Sequence, residues 1–205
     1  MLSFHNRIKK DKIKELGVIF PKENQVYYLS NSESQCFKSF SVQEINIIIM
    51  KGFEIFKSLD ELDTESKYLI HKAKEAAHHA YAPYSKFHVG AALILEDGTL
   101  VTGSNQENAS YPLCMCAERV ALYAAVSQHP DKKIMKIAIV AHKKNHKELS
   151  AAASCGACRQ VMTEFEERQS APIEVIMHHT DSQWIKCPTA SSLLPFVFEK
   201  SSFKE

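Results

Sequence analysis

No stretch of this sequence is apolar for long enough to span a bilayer. The lysine-bearing start, Met1 to Lys14, has no signal-type hydrophobic run behind it and lacks the arginine and serine richness of a transit peptide. Neither secretion nor import is expected, and the chain is placed in the cytoplasm. Internal repeats and low-complexity linkers are absent as well. Charge of one sign is also missing: the formal net charge is +1, so no global field favours nucleic acid or membrane. No basic stripe with interleaved aromatics is evident either, which argues against a binder of single-stranded polynucleotide.

What remains is the composition of a packed globular protein, 45% hydrophobic and 24% charged, which excludes wholesale disorder. At 205 residues the chain can bury one domain well and carry an appendage, but not two full-sized domains. Six cysteines would suggest disulfides in a small secreted domain. Without a secretion signal, a C-x-x-C pair reads as metal or redox chemistry in a reducing compartment.

Residues 1–62 differ from the rest. Leu16 to Phe20 and Gln25 to Leu29 are β-prone runs separated by Pro21-Lys22-Glu23-Asn24, so a hairpin is expected. Ser41-Val42-Gln43-Glu44 fits a capping box, and Ile45, Ile48, Ile49, Phe53 and Phe56 follow at helical spacing. This predicts a small α+β extension with no catalytic constellation. Beyond it, Asp63 or Thr64 starts a helix with Leu69, Ala73, Ala76 and Ala77 on a small-residue stripe, ended by Pro83. Phe87 to Leu95 is a strand, Glu96-Asp97-Gly98 a hairpin turn and Thr99 to Thr102 the returning strand. A helix over Cys116 to Gln128 precedes Ile134 to Ala141, a strand apolar enough for burial on both faces. A helix over Cys155 to Glu166 and strands at Ile173 to Met177 and Trp184 to Cys187 complete the pattern. Strands alternating with helices imply an α/β layered domain with helices on both faces.

Two of the expected helix starts carry cysteines: Cys116-Ala117-Glu118 and Cys155-Gly156-Ala157-Cys158. Unpaired N–H groups and the partial positive charge at a helix start favour thiolate over thiol. Two such ends aimed at one point can hold three thiolates around zinc and leave the fourth position to water, as catalytic zinc sites do. Glu118 is then free to move protons as a general acid/base. Three thiolates on a dication leave a net negative charge, which Arg119 is placed to offset by hydrogen-bonding a ligand sulfur, with Arg159 as a further candidate. The competing readings are a redox C-x-x-C pair and a closed structural zinc with Cys114 or a histidine as fourth ligand. Cys114 is expected to line the site wall, Cys36 and Cys187 to pack as small hydrophobes, and His78-His79 and His178-His179 to lie at the surface.

The run Tyr81-Ala82-Pro83-Tyr84-Ser85-Lys86-Phe87-His88-Val89-Gly90-Ala91-Ala92-Leu93 resembles the opening signature of the cytidine deaminase family. Gly103 to Pro112, Cys116-Ala117-Glu118-Arg119, Cys155 to Val161 and Leu193-Leu194-Pro195 resemble its other motifs, in the family's order and over about residues 65 to 200. The cysteine of Cys-Ala-Glu resembles the three-cysteine, homotetrameric branch. The resemblance implies a three-layer α/β/α cytidine-deaminase-like domain with a mixed central sheet over residues 63–205. It implies one Zn²⁺ per subunit on Cys116, Cys155 and Cys158, with Glu118 as the catalytic proton shuttle.

For substrate binding, the resemblance makes Phe87 the aromatic wall beside the pyrimidine and Asn105 and Glu107 the pair that holds the ribose 3′-hydroxyl. Ala109 and Tyr111 become loop residues around the nucleoside, Tyr111 reaching a neighbouring subunit's site. Phe198 stacks over the base from a neighbour, with Phe196 as the competing candidate. Ser154 stands where the family has proline, which should loosen that loop without removing a ligand. The implied reaction is hydrolytic deamination of cytidine and 2′-deoxycytidine to the uridines and ammonia. The partner is a small-molecule nucleoside, with no nucleic acid or membrane. The alternatives are a deaminase of a different amino-pyrimidine nucleoside and a non-catalytic zinc-stabilised binding or assembly protein.

Overall fold

The computed structural model describes residues 18–22, 25–28, 39–41, 52–146, 148–198 and 203. Its contacts fall into two units, Met1–Lys51 and Gly52–Glu205. The described part of the smaller unit is an antiparallel sheet of β1 (Val18–Lys22), β2 (Gln25–Tyr28) and β3 (Ser39–Ser41). Val18 faces Tyr28 and Val26 faces Phe40. The expected hairpin is there, with β1 running on through Pro21 and Lys22. β1 and β2 shift register between Ile19 and Lys22, where Pro21 has no N–H to give a ladder. β3 was not expected: Ser39-Phe40-Ser41 is too short and polar to signal a strand. The capping box beyond Ser41 and the apolar positions Ile45, Ile48 and Ile49 lie outside the described residues.

The helix expected through Phe53 and Phe56 does not extend that far. Gly52 sits at φ +103°, a left-handed conformation that breaks a helix, and Glu54–Phe56 forms strand β4. β4 pairs with Trp184–Lys186, and the Lys186 ammonium lies over the Phe56 ring at 5.5 Å. Residues 52–62 therefore belong to the larger unit and not to the extension.

That unit continues as α1 (Thr64–Ala77), β5 (Phe87–Leu95), β6 (Leu100–Ser104), α2 (Ala117–Gln128), β7 (Ile134–Lys143), α3 (Gly156–Gln169), β8 (Glu174–His178) and β9 (Trp184–Cys187). The sheet order is β4-β9-β8-β7-β5-β6. Only β7 and β8 among these pair in parallel, joined through α3 as a parallel connection requires. Alternation along the strands sends residues to two cores. Ala92, Ala138, Val140 and Ile176 pack with Leu69, Ile70 and Ala73 of α1. Ala91, Leu93, Ile137, Ile139 and Val175 pack with Ala121 and Leu122 of α2 and with Met162 and Phe165 of α3. The result is the expected three-layer α/β/α arrangement with a mixed sheet.

The helices lie so close to the sheet that glycine is required at two contacts. A Cβ at Gly90 would fall 2.0 Å from the Ala73 carbonyl oxygen, and one at Gly103 would fall 2.5 Å from both Ala117 O and Ala121 N. Both obstacles are backbone, so the helix itself must move. Gly103→Ala is expected to cost at least about 1–3 kcal/mol and also to reduce turnover, because α2 begins beside the site. Gly90→Ala should destabilise through α1, away from the site. Thermal unfolding with kinetics on both variants checks this; equal kinetic damage from both would refute it.

Asp63 caps α1, with Oδ1 accepting from Ser66 N at 2.8 Å and Oδ2 from Ser66 Oγ at 2.6 Å. The Lys136 ammonium sits among Asp63, Glu65 and Glu174, tying the start of α1 to β7 and β8. Burial works against the Asp63 carboxylate, but the Ser66 hydrogen bonds and the ammonium groups of Lys136 and Lys186 outweigh it and hold its pKa at about 2. A depressed carboxyl pKa stabilises the fold above its unfolded value and loses that contribution as pH falls from about 4 towards 2. Asp63→Ala is therefore expected to cost about 1 kcal/mol at pH 7, with the difference from wild type shrinking below pH 4 in denaturant titrations.

Candidate active site

Cys116 and Cys155 are the residues that immediately precede the first turns of α2 and α3, both in extended backbone conformation. Neither sulfur caps a backbone N–H of the helix it precedes, so both are free to face each other. Cys116 Sγ and Cys155 Sγ are 3.9 Å apart and Cys155 Sγ and Cys158 Sγ 3.4 Å, with all three within 4.8 Å of one another. A disulfide would need about 2.05 Å. Three sulfurs at roughly 2.3 Å from a tetrahedral zinc stand about 3.8 Å apart. The donor set therefore fits zinc, and among the described residues it is the only group whose three ligand atoms already lie within 4.8 Å of one another. No fourth ligand among the described residues joins it: Cys114 instead accepts from Asn108 N at 3.2 Å and lines the cleft.

Electrostatics differentiates the three sulfurs. Hydrogen bonding from Cys158 holds Cys116 at about 5 against the cost of burial, with Arg119 and Cys155 adding to the effect. The same bond, with burial, pushes the Cys158 thiol the other way. Arg119 Nη2 donates to Cys116 Sγ at 3.7 Å. Arg159 is used differently, donating to Ser154 O at 2.9 Å and Leu193 O at 3.1 Å. Those bonds tether the loop at Ser154. That residue is buried, and its N–H, which proline would lack, donates to Met177 Sδ at 3.5 Å.

Glu118, in the first turn of α2, is only 4% exposed. Burial is the largest influence on it and raises its pKa, assisted by negative charge on Cys116. Its own N–H, Ser154 and Cys158 pull the other way. It lies at the bottom of a cleft of about 280 Å³ lined by Phe87, Val89, Ile139, Ala141 and Ala151–Ala153 together with Cys116 and Cys155. That is near the lower end of the roughly 300–1,000 Å³ usual for small-molecule sites, room for one small ligand. Val89, Ile139 and Ala141 were not singled out from sequence, although their period-two alternation with core residues marks that face.

Asn105 and Glu107 also line the cleft. The Asn105 side chain braces the start of β5, accepting from Val89 N at 2.8 Å and donating to Phe87 O at 2.9 Å. Glu107 accepts from Tyr84 N at 2.8 Å and Ser85 N at 3.3 Å. Ser85 and these amides hold its carboxyl below the usual range, so it is ionised and retains free lone pairs. Ala109, Tyr111 and Phe198 do not line the cleft in one chain. Ala109 is exposed. Tyr111 stacks edge-on with Tyr84 in a neighbouring hollow that also touches Glu107 and Cys114. Phe198 is 61% exposed, its ring against Phe203 and its carbonyl accepting from Gln160. His178 corrects another expectation: it is buried against Trp184 at 5.0 Å, where burial lowers its pKa.

A thiol triad fit for zinc, opened on a cleft with a carboxylate buried at its base, defines a hydrolytic zinc enzyme. The family model for the cytidine and deoxycytidylate deaminase zinc-binding region matches residues 63–171. Cytidine deaminase from Halalkalibacterium halodurans is 43% identical over 131 residues, covering 63% of this chain and 91% of that protein. The one from Sporosarcina psychrophila is 42% identical over 132 residues, 64% of this chain and 90% of that protein. The crystal structure of cytidine deaminase from Burkholderia pseudomallei superposes with a TM-score of 0.54 at 40% identity, covering 67% of this chain and all of that one. The chain belongs to this deaminase family and is a zinc-dependent hydrolytic deaminase. No helix among the described residues is long and apolar enough to cross a membrane.

Proposed function

We propose that this protein converts cytidine and 2′-deoxycytidine to uridine and 2′-deoxyuridine with release of ammonia. The observation that carries the reading is the buried Glu118 lining the same small cleft as Cys116 and Cys155, whose sulfurs cluster with that of Cys158. Zinc on those sulfurs supplies, when bound, a water activated for attack on the amine-bearing C4 of the pyrimidine. Glu118 takes the two protons of the attacking water in turn, passing one to N3 and the other to the amine, which leaves as ammonia while the oxygen stays on C4 as the carbonyl. Its burial keeps competing water away and raises its basicity towards that task. Arg119 stabilises the Cys116 thiolate. Phe87 forms the wall beside the base. Asn105 and Glu107, already braced by the backbone of residues 84–89, hold the ribose 3′-hydroxyl with the donor and acceptor capacity they have left.

The catalytic unit is residues 63–205, with 52–62 lending it an edge strand. It works in the cytoplasm as a homotetramer, in which the exposed Tyr111, the Ala109 backbone and Phe198 complete neighbouring sites. Light scattering should give about four times the 23.2 kDa of one chain.

The first test is ultraviolet-monitored deamination of cytidine, 2′-deoxycytidine and free cytosine, with zinc quantified in the same sample. Both nucleosides should turn over and the base should not, because it lacks the sugar that Asn105 and Glu107 grip. Stoichiometric zinc without turnover of either nucleoside would overturn the assignment of substrate.

A further inference from the structure

On the α1 side of the sheet, away from the cysteine cleft, three imidazoles meet. His88 on β5 and His142 on β7 are directly opposed across the antiparallel pair, with ring centroids 5.3 Å apart. His78, the residue that ends α1, stands 5.7 Å from His142. The neighbours Phe87, Val89 and Ala141 line the cleft, so alternation directs His88 and His142 to the opposite face.

His142 is the informative member. Its Nδ1 lies 3.1 Å from the Lys143 carbonyl oxygen. A carbonyl only accepts, so this nitrogen carries a proton, and in the neutral imidazole Nε2 is then the lone pair. That Nε2 is shielded from solvent and has no hydrogen-bond partner. A buried acceptor left unpaired is costly. An imidazole whose second nitrogen donates to a carbonyl is also the arrangement in which histidine binds metals.

We infer that His88 and His142, completed by His78, form a second metal site, taking a borderline divalent transition ion such as Ni²⁺ or Zn²⁺. Metal–nitrogen bonds of about 2.0–2.1 Å place ring centroids roughly 5.2–5.6 Å apart at tetrahedral to trigonal angles, close to the separations found. The strand pair is the fixed part of the site. His78 is exposed and has to turn inward to complete the site, because the three ring nitrogens do not yet lie within 4.8 Å of one another. Nitrogen ligands suit nickel, whereas the thiolate cluster prefers zinc, so the two sites can be filled independently.

The test uses zinc-loaded, full-length protein equilibrated with NiCl₂. Both metals are counted by elemental mass spectrometry, and affinity is measured by calorimetry. One nickel per chain should bind without displacing zinc. Removing a ligand should weaken binding by at least the roughly 10–100-fold that loss of an outer-shell partner costs, in His88→Gln and in His142→Gln. His71→Gln, which alters an exposed imidazole paired with Glu75, should bind nickel as wild type does. Absence of nickel binding, nickel found only where zinc is lost, or wild-type affinity in His88→Gln would each overturn the inference. Should His142→Gln fail to fold, His88→Gln alone decides it.

Discussion

Replacing Glu118 with glutamine is expected to lower kcat by about 10²–10⁴ while leaving zinc stoichiometric and the fold intact. Glutamine keeps the length and hydrogen-bonding shape of the side chain but cannot accept and redeliver a proton. It is also neutral, and at a position only 4% exposed removal of a buried charge is not a burden on stability. KM should change much less than kcat, because the proton transfers of the carboxylate are made in the transition state and not in ground-state binding. Glu107→Gln should behave in the opposite sense. Its carboxylate grips the backbone of Tyr84 and Ser85 at the rim, so its loss should appear mainly in KM. Steady-state kinetics on both variants, with zinc analysis, separates the two roles. Unchanged kcat in Glu118→Gln would remove it as the proton shuttle.

Much of the catalytic unit is legible in the sequence because its signals are local. Phe87 to Leu95 is bounded by Lys86 and the Glu96-Asp97-Gly98 turn, and Asp63 offers its side chain to Ser66 N as an N-cap should. The cysteines mark two helix starts for a physical reason, and the residues stand there. What escaped was tertiary in origin. Phe53 and Phe56 keep helical spacing with upstream isoleucines, yet Gly52 at positive φ and an open edge on β9 claim Glu54–Phe56 for the sheet. His178 looks like a surface residue until Trp184 and the Ser150 carbonyl are brought against it by strand pairing. Arg159 could not be distinguished from Arg119 as a charge partner for the thiolates. The fold spends it on the carbonyls of Ser154 and Leu193, which close the loop behind the site.

The second large effect concerns the metal, and two buried cysteines allow it to be isolated. Cys158 and Cys187 are both fully buried. Cys158 belongs to the sulfur cluster, whereas Cys187 lies in the core beneath α3, where burial pushes its thiol to about 12 and leaves it an inert hydrophobe. Replacing either with alanine deletes the same atom from a packed interior, a loss of about 1 kcal/mol on the scale of small truncations. Only Cys158→Ala also removes a ligand. It should purify without stoichiometric zinc, lose turnover, and lose in addition the stabilisation that a bound ion gives, about 4 kcal/mol when free zinc is a thousandfold above its dissociation constant. Chelator-treated wild type should unfold near Cys158→Ala and well below Cys187→Ala. Because the sheet and its two cores stand apart from the metal, both variants should still unfold cooperatively, unlike a zinc finger that is unfolded without its ion. Equal stability of the two alanine variants in the presence of zinc would mean that the sulfur cluster holds no ion that matters to the fold.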